Sequence, residues 1–436
     1  MDVPEKPPKV MDILFNNPNS PLAYLSDQEV VAVIRKYNNE YHHWDNLKYR
    51  PLPKDVKREE LWALMKFFRM QQYKVLPLCN LTMHYILTDN IQSELHKLDV
   101  NAVGNIESDL DGINNREKYI ISSLMEEAIA SSQLEGAATT RKLAKELLRK
   151  NIRPRNISEQ MIVNGFSTMQ KMRTMKENTL TPAMIIELQA SITRDTLKNK
   201  EDEGKFRDNN DVVVADPVIL EKVFHRPPDY TTIPLLLDEL CQFVNMDTEE
   251  FIHPIVKGAI LHFLIGYIHP FNDGNGRTAR TLFYWYVLKK GYWLFEFMSL
   301  SRTILRSKTN YGLAYLYTET DDLDLTYFIN YNLKCIDEAL EDMRKYLARK
   351  QKEQREISVM LKNNPELNSR QASILKDFLQ HPEKNFAIKE LVLIYGIVYE
   401  TARSDLIHLE KSGYIERITM KHKFYFKLHK NNSNPS

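Results

Sequence analysis

At 436 residues, 43% hydrophobic and 27% charged, the chain is longer than one domain of roughly 100–200 residues and reads as an ordinary soluble protein of two or three units. A net charge of +1 gives no global field toward nucleic acid or membrane, and the longest apolar stretch, 259–268, falls short of the about 18 residues a span requires. Cys79, Cys241 and Cys335 lie far apart without a Cys-x-x-Cys pair, which argues against a zinc ribbon or disulfide framework; with a charged, proline-rich start instead of a secretory signal, a cytoplasmic protein is expected.

In chain order, residues 1–20 carry Pro4, Pro7, Pro8 and Pro18 among charges and read as a loose arm. Ser26 and Glu29 form a capping box that predicts a helix through Val30, Val33, Ile34 and Tyr37. Apolar spacings of three and four predict helices over 61–75 and 81–98. Residues 116–136 read as a helix striped by Ile120, Leu124, Ile129 and Leu134 and stopped by Gly136; Ser131 and Glu135, four apart, share one of its faces. Helices follow over 140–150, 158–175 and 181–197, the last with Thr181 as N-cap and Pro182 at its first position. Gly204, the Asn209-Asn210 pair and the run Val212–Val214 predict a hairpin over 204–215. His225-Arg226-Pro227-Pro228 reads as a rigid connector, and 234–244 and 254–267 as helices.

After the motif discussed below, residues 277–290, 301–320 and 325–362 read as helices, the last broken by Asn363-Asn364-Pro365. The final stretch changes character. Helices over 370–379, 388–394 and 399–411 precede alternating strands over 414–419 and 424–428, which is the winged-helix order. Lys421, Lys423, Lys427 and Lys430 could meet phosphates, but Glu400, Asp405 and Glu410 share the recognition-helix segment with Arg403 and Lys411, so protein contact is favoured over DNA.

The chemistry concentrates in His269-Pro270-Phe271-Asn272-Asp273-Gly274-Asn275-Gly276-Arg277-Thr278-Ala279-Arg280. Gly274, Asn275 and Gly276 form a small-residue loop able to converge its N–H groups on an anion, and it opens onto a helix N-terminus. Arg277 and Arg280 can project from the first turn toward the same anion. Asp273 is a hard oxygen ligand suited to magnesium shared with a phosphate, and His269 can take a proton near neutral pH. His262 shows no metalloenzyme spacing and reads as a core or adenine-side residue.

This stretch resembles the Fic signature, His-x-Phe-x-Asp/Glu-Gly-Asn-Gly-Arg-x-x-Arg, at His269, Phe271, Asp273, Gly274, Asn275, Gly276, Arg277 and Arg280. Ser131-Ser132-Gln133-Leu134-Glu135-Gly136 is similar to the family's autoinhibitory motif, Ser/Thr-x-x-x-Glu-Gly/Asn. The resemblance implies a mainly α fold: a helical N-terminal region (1–110), a Fic core (111–362) with an inhibitory helix (116–136) and a flap (204–215), and a winged helix-turn-helix domain (366–430). It implies transfer of AMP from ATP to a Ser, Thr or Tyr hydroxyl of a target protein held by strand addition to the flap. His269 is then the base, Asp273 holds Mg²⁺, and Gly274, Asn275, Gly276, Arg277 and Arg280 bind the phosphates. Glu135, with Ser131, blocks Arg280, and Arg306 and Tyr311 are candidates for the nucleotide pocket. A homodimer, removal of AMP, transfer of another phosphate-containing group, and a DNA-binding regulator with an inert core stand as alternatives. The kinase branch of the family carries a basic residue where this chain has Gly276, which disfavours it.

Overall fold

The computed structural model describes residues 2–15, 20–78, 81–101, 116–216, 219, 221–246, 250–420 and 423–429. Cys79, Lys421 and Lys430 lie outside them, as does the side chain of Lys423. The described residues are mainly helical, with three two-stranded antiparallel sheets. None of their helices is long and apolar enough to cross a membrane. The chain divides into two units, Met1–Met343 and Arg344–Ser436. The helix Thr326–Asn363 ends at the Asn363-Asn364-Pro365 stop expected from the sequence.

The first unit opens with α1 (Val10–Phe15), α2 (Gln28–Glu40), α3 (Trp44–Leu47) and α4 (Arg58–Met70). The arm read as loose therefore contains a helix: Leu14 is 1% exposed in a core with Trp44 and Trp62, and apolar burial outweighs the prolines around it. Asp27, not Ser26, caps α2, accepting from the Glu29 N–H; Ser26 closes the preceding 3₁₀ turn. Helices stand within both 61–75 and 81–98, but a hairpin takes the end of the first stretch and the start of the second. β1 (Lys74–Leu78) pairs with β2 (Leu81–Tyr85) before α5 (Asp89–Val100), which Thr88 caps.

The N-terminal helices belong to the same unit as the core. Lys66 pairs with Asp321 at 2.9 Å, Arg69 donates to the Tyr327 hydroxyl at 2.9 Å, and the Tyr41 hydroxyl donates to Asp324 at 2.6 Å. All six of these residues are buried.

The core continues with α6 (Arg116–Leu134), α7 (Arg141–Arg149), α8 (Ile157–Thr174) and α9 (Pro182–Thr193). Gly136 takes a left-handed φ of 93° just beyond α6, where a side chain would be strained. The expected hairpin at 204–215 is displaced: β3 (Val214–Ala215) pairs with β4 (Val223–His225), which occupies part of the stretch read as a connector. Residues 204–213 form no strand, because Asn209 and Asn210 hold the buried Arg207 instead of making a two-residue turn. After α10 (Ile233–Asn245) come α11 (Pro254–Ile268) and α12 (Asn275–Lys289), both buried along most of their length. Residues 301–320 split at Ser307 into α13 (Leu300–Arg306) and α14 (Lys308–Thr320), and α15 (Thr326–Asn363) follows.

In the second unit, α16 (Ser369–Gln380), α17 (Ile388–Tyr395), α18 (Tyr399–Lys411), β5 (Ile415–Met420) and β6 (Lys423–Leu428) fall in the predicted order. Phe378, Phe386, Leu406 and Phe426 centre its core. Asp405 is buried and paired with Arg370, while Lys427 meets Glu416 at 3.0 Å.

Candidate active site

α11 is apolar apart from Lys257 and His262, so it is buried along most of its length and forms a rigid mount. It ends on His269 in the left-handed region, φ 48°, which turns the chain into the motif loop. The His269 Nδ1 lies 3.0 Å from the Gly266 carbonyl. A carbonyl only accepts, so Nδ1 carries the hydrogen and Nε2 keeps its lone pair. Burial lowers the pKa of this imidazole below the ordinary histidine value, opposed by the Gly266 contact. Arg207 fastens the segment before the flap to this corner: its N–H donates to the Pro270 carbonyl and its Nε to the His269 carbonyl, both at 2.9 Å.

The loop after His269 is held by its own side chains. Asn275 both donates to and accepts from the Phe271 backbone, so its amide is committed to the loop while its backbone starts α12. Gly274 is the N-cap at φ 87°, and a Cβ there would lie 2.8 Å from Thr193 Cγ2, so both conformation and space require glycine. Gly276 lies inside the first turn of α12, not in a loop; a Cβ there would overlap Glu135 Oε1. Space, not backbone freedom, calls for glycine at that position.

Arg280 is 2% exposed and engaged through Nε and Nη2. Its Nη2 meets Glu135 Oε1 at 2.9 Å and the Ser131 carbonyl at 3.2 Å, and its Nε meets Ser131 Oγ at 3.0 Å. Burial opposes the Glu135 charge, but Arg280 outweighs it and holds the carboxyl below the usual range. Arg277 donates to Asp273 Oδ1 at 3.0 Å and to the Ile192 carbonyl, while its buried Nε has no partner among the described residues. The Asp273 side chain is 56% exposed and also accepts from the Gly274 N–H. One half-exposed carboxylate beside an N-terminal helix turn fits Mg²⁺ shared with phosphate oxygens, and no cluster of three or more His, Cys, Asp or Glu among the described residues offers an all-protein cage.

His269, Gly276, Arg280 and Glu135 line a cavity of about 640 Å³, joined by Val214, Ala215, Phe224 and His225 of the β3–β4 pair. Tyr311 lines it too, with its hydroxyl 2.8 Å from His262 Nε2; burial pushes His262 down to about 3, marking a neutral core histidine. Asp273, Gly274, Asn275 and Arg277 do not line this cavity. Arg306 is not brought to it either: the guanidinium pairs with Asp342 at 2.9 Å on α15, and the sequence could not show that partner. Sequence reasoning missed Lys308, whose Nζ caps the C-terminus of α6 at the Leu134 carbonyl, 3.0 Å away. It also missed His225, which bridges Glu319 and the Tyr267 carbonyl at 2.7 Å each.

Residues 179–287 match the model of the Fic/DOC family. The chain carries a Fic domain. The protein adenylyltransferase Fic of Drosophila melanogaster is 34% identical over 89 residues, 20% of this chain and 16% of that protein. Its namesake in Drosophila ananassae is 35% identical over 89 residues, with the same two shares. The chain thus spans 16% of the length of these curated relatives. A Fic family protein from Desulfovibrio desulfuricans shares the fold, with a TM-score of 0.51 and 17% identity over 78% of this chain and 95% of that one. The matched Fic domain contains His269, Asp273, Arg277 and Arg280, while Glu135 lies outside it, in the turn that follows α6.

Proposed function

We propose that this chain is a protein adenylyltransferase that moves AMP from ATP to a protein hydroxyl and is held off by Glu135. The observation that carries the reading is His269, with Nε2 free to accept, lining one cavity with Arg280 and Glu135. In this reaction His269 Nε2 takes the proton of an incoming Ser, Thr or Tyr hydroxyl. The hydroxyl oxygen bonds to the α-phosphorus, and the bond to the bridging oxygen breaks to release pyrophosphate. Backbone N–H groups at the start of α12 and the Arg277 guanidinium neutralise charge on the phosphates. Asp273 would hold Mg²⁺, which supplies a positive charge shared with the phosphate oxygens. Arg280, once released from Glu135, would hold the γ-phosphate and so align the α-phosphorus.

The β3–β4 pair supports docking of the target by strand addition, since its strands border the cavity. We read the Arg344–Ser436 unit as a winged helix that contacts protein: Asp405 and Lys427 are committed within the unit, while Val398 and Tyr399 are exposed at the start of α18. Incubation with ATP labelled at either the α- or the γ-phosphate tests the enzymatic reading. Label from the α position alone supports AMP transfer; label from the γ position indicates phosphoryl transfer and overturns it.

A further inference from the structure

Two helices meet here along a polar seam. Glu127 and Ser131 on α6, and Glu135 one residue past its end, recur every fourth residue; on α12, Gly276, Arg280 and Tyr284 do the same and share one face. The two sets pair in opposite order. Glu135 faces Gly276 and Arg280, Ser131 meets Arg280, and Glu127 accepts from the Tyr284 hydroxyl at 2.9 Å.

Glu127 is 2% exposed, and no Lys or Arg pairs with it among the described residues. Its carboxylate instead accepts from Tyr284 Oη, from Ser299 Oγ at 3.0 Å, from the Ser301 N–H at 2.9 Å and from Ser301 Oγ. These donors come from α12 and from the start of α13. A buried carboxylate held only by neutral donors tolerates little displacement, because each lost donor leaves an unsatisfied acceptor costing about 1–3 kcal/mol. A shift of α6 along α12 would break all four contacts together. Burial works against the Arg280 charge, yet Glu135, then Tyr311 and, last, Glu127 further down the seam raise the guanidinium above its ordinary value.

Resting on the adenylyl-transfer reading, we infer that Glu127 is a positioning residue of the inhibitory latch: it fixes the register of α6 against α12, and so places Glu135 on Arg280. It touches neither nucleotide nor target. Its effect passes through Glu135.

The test measures self-labelling from α-labelled ATP in four proteins: wild type, Glu127→Gln, Glu135→Gly and the double variant. Glutamine keeps the shape but replaces one acceptor oxygen with an NH₂ that faces donors. Glu127→Gln should raise labelling several-fold over wild type and add nothing to Glu135→Gly. Equal changes in both backgrounds, or wild-type labelling in Glu127→Gln, would overturn the inference, since a merely structural residue does not depend on Glu135. Should Glu127→Gln fail to fold, Tyr284→Phe removes a single donor and should act in the same direction. If Glu135→Gly itself takes no label, the enzymatic reading fails. Amide exchange over 128–135 then decides the inference by itself: faster exchange in Glu127→Gln supports it, and unchanged exchange overturns it.

Discussion

Arg280 Nη2 and Glu135 Oε1 lie 2.9 Å apart, a contact between residues 145 positions apart in the chain, one inside α12 and the other just past the end of α6. The arginine is buried and the glutamate side chain is 34% exposed. The pair is therefore asymmetric. The carboxylate can leave toward the cavity, whereas the guanidinium stays in the interior, ready for another anion.

On the proposed reading, Glu135→Gly removes the carboxylate that occupies Arg280 and leaves the guanidinium open to phosphate. Freeing a buried cation from a competing anion by even about 1.4 kcal/mol gives tenfold in the binding constant. Self-labelling from α-labelled ATP should therefore rise about tenfold or more, and ATP affinity by calorimetry should increase with it. Labelling at or below wild type would contradict the latch.

His269→Ala should abolish transfer from the Glu135→Gly protein while ATP still binds. In the active protein the base must be neutral, and its pKa is lowered chiefly by burial. Activity is then complete above the ordinary histidine value of about 6.5 and is lost as pH falls below it. An acid limb in kcat/KM at or above about pH 7 would contradict the assignment.

Stability should also fall in acid. Burial lowers His43 to about 4 and His262 to about 3, so the folded chain keeps both neutral where the unfolded chain takes up protons. Stability is complete above about pH 6.5 and declines as pH drops toward 4. Thermal unfolding followed from pH 7 to 4 measures this, and His262→Gln, which cannot titrate, should make the slope shallower. An unchanged slope would count against a buried neutral His262.

Lys66→Met leaves Asp321 buried without the cation 2.9 Å away. Breaking one side of such a pair costs about 3–5 kcal/mol, readable as a lower denaturant midpoint. Adding Asp321→Asn should recover part of the loss. A single variant as stable as wild type would show that the pair contributes little.

The motif from His269 to Arg280 was legible because its chemistry is local: an apolar helix, a tight loop and a helix start, all within one short run of sequence. The stretch from Ser131 to Gly136 was legible as a helix end, but its meeting with Arg280 depends on how α6 crosses α12, and no local pattern carries a crossing angle. Tyr284 and Glu127 were hidden for the same reason, each looking like an ordinary helical residue. Gly276 suggested a flexible loop, yet its smallness serves the Glu135 carboxylate. The hairpin at Lys74–Tyr85 was misread because spacings of three and four occur by chance in short apolar runs, and only its pairing register settles the strands. Arg207 was read with the flap segment; the structure makes it a strut under the His269 carbonyl.

The central claim is that one imidazole and one arginine act on ATP once Glu135 withdraws. Intact-mass measurement of purified Glu135→Gly protein after incubation with ATP and Mg²⁺ tests it most directly. The account predicts one or more added AMP groups, absent when His269→Ala is combined with it. An added phosphate, or an unchanged mass in protein shown to bind ATP, would contradict it.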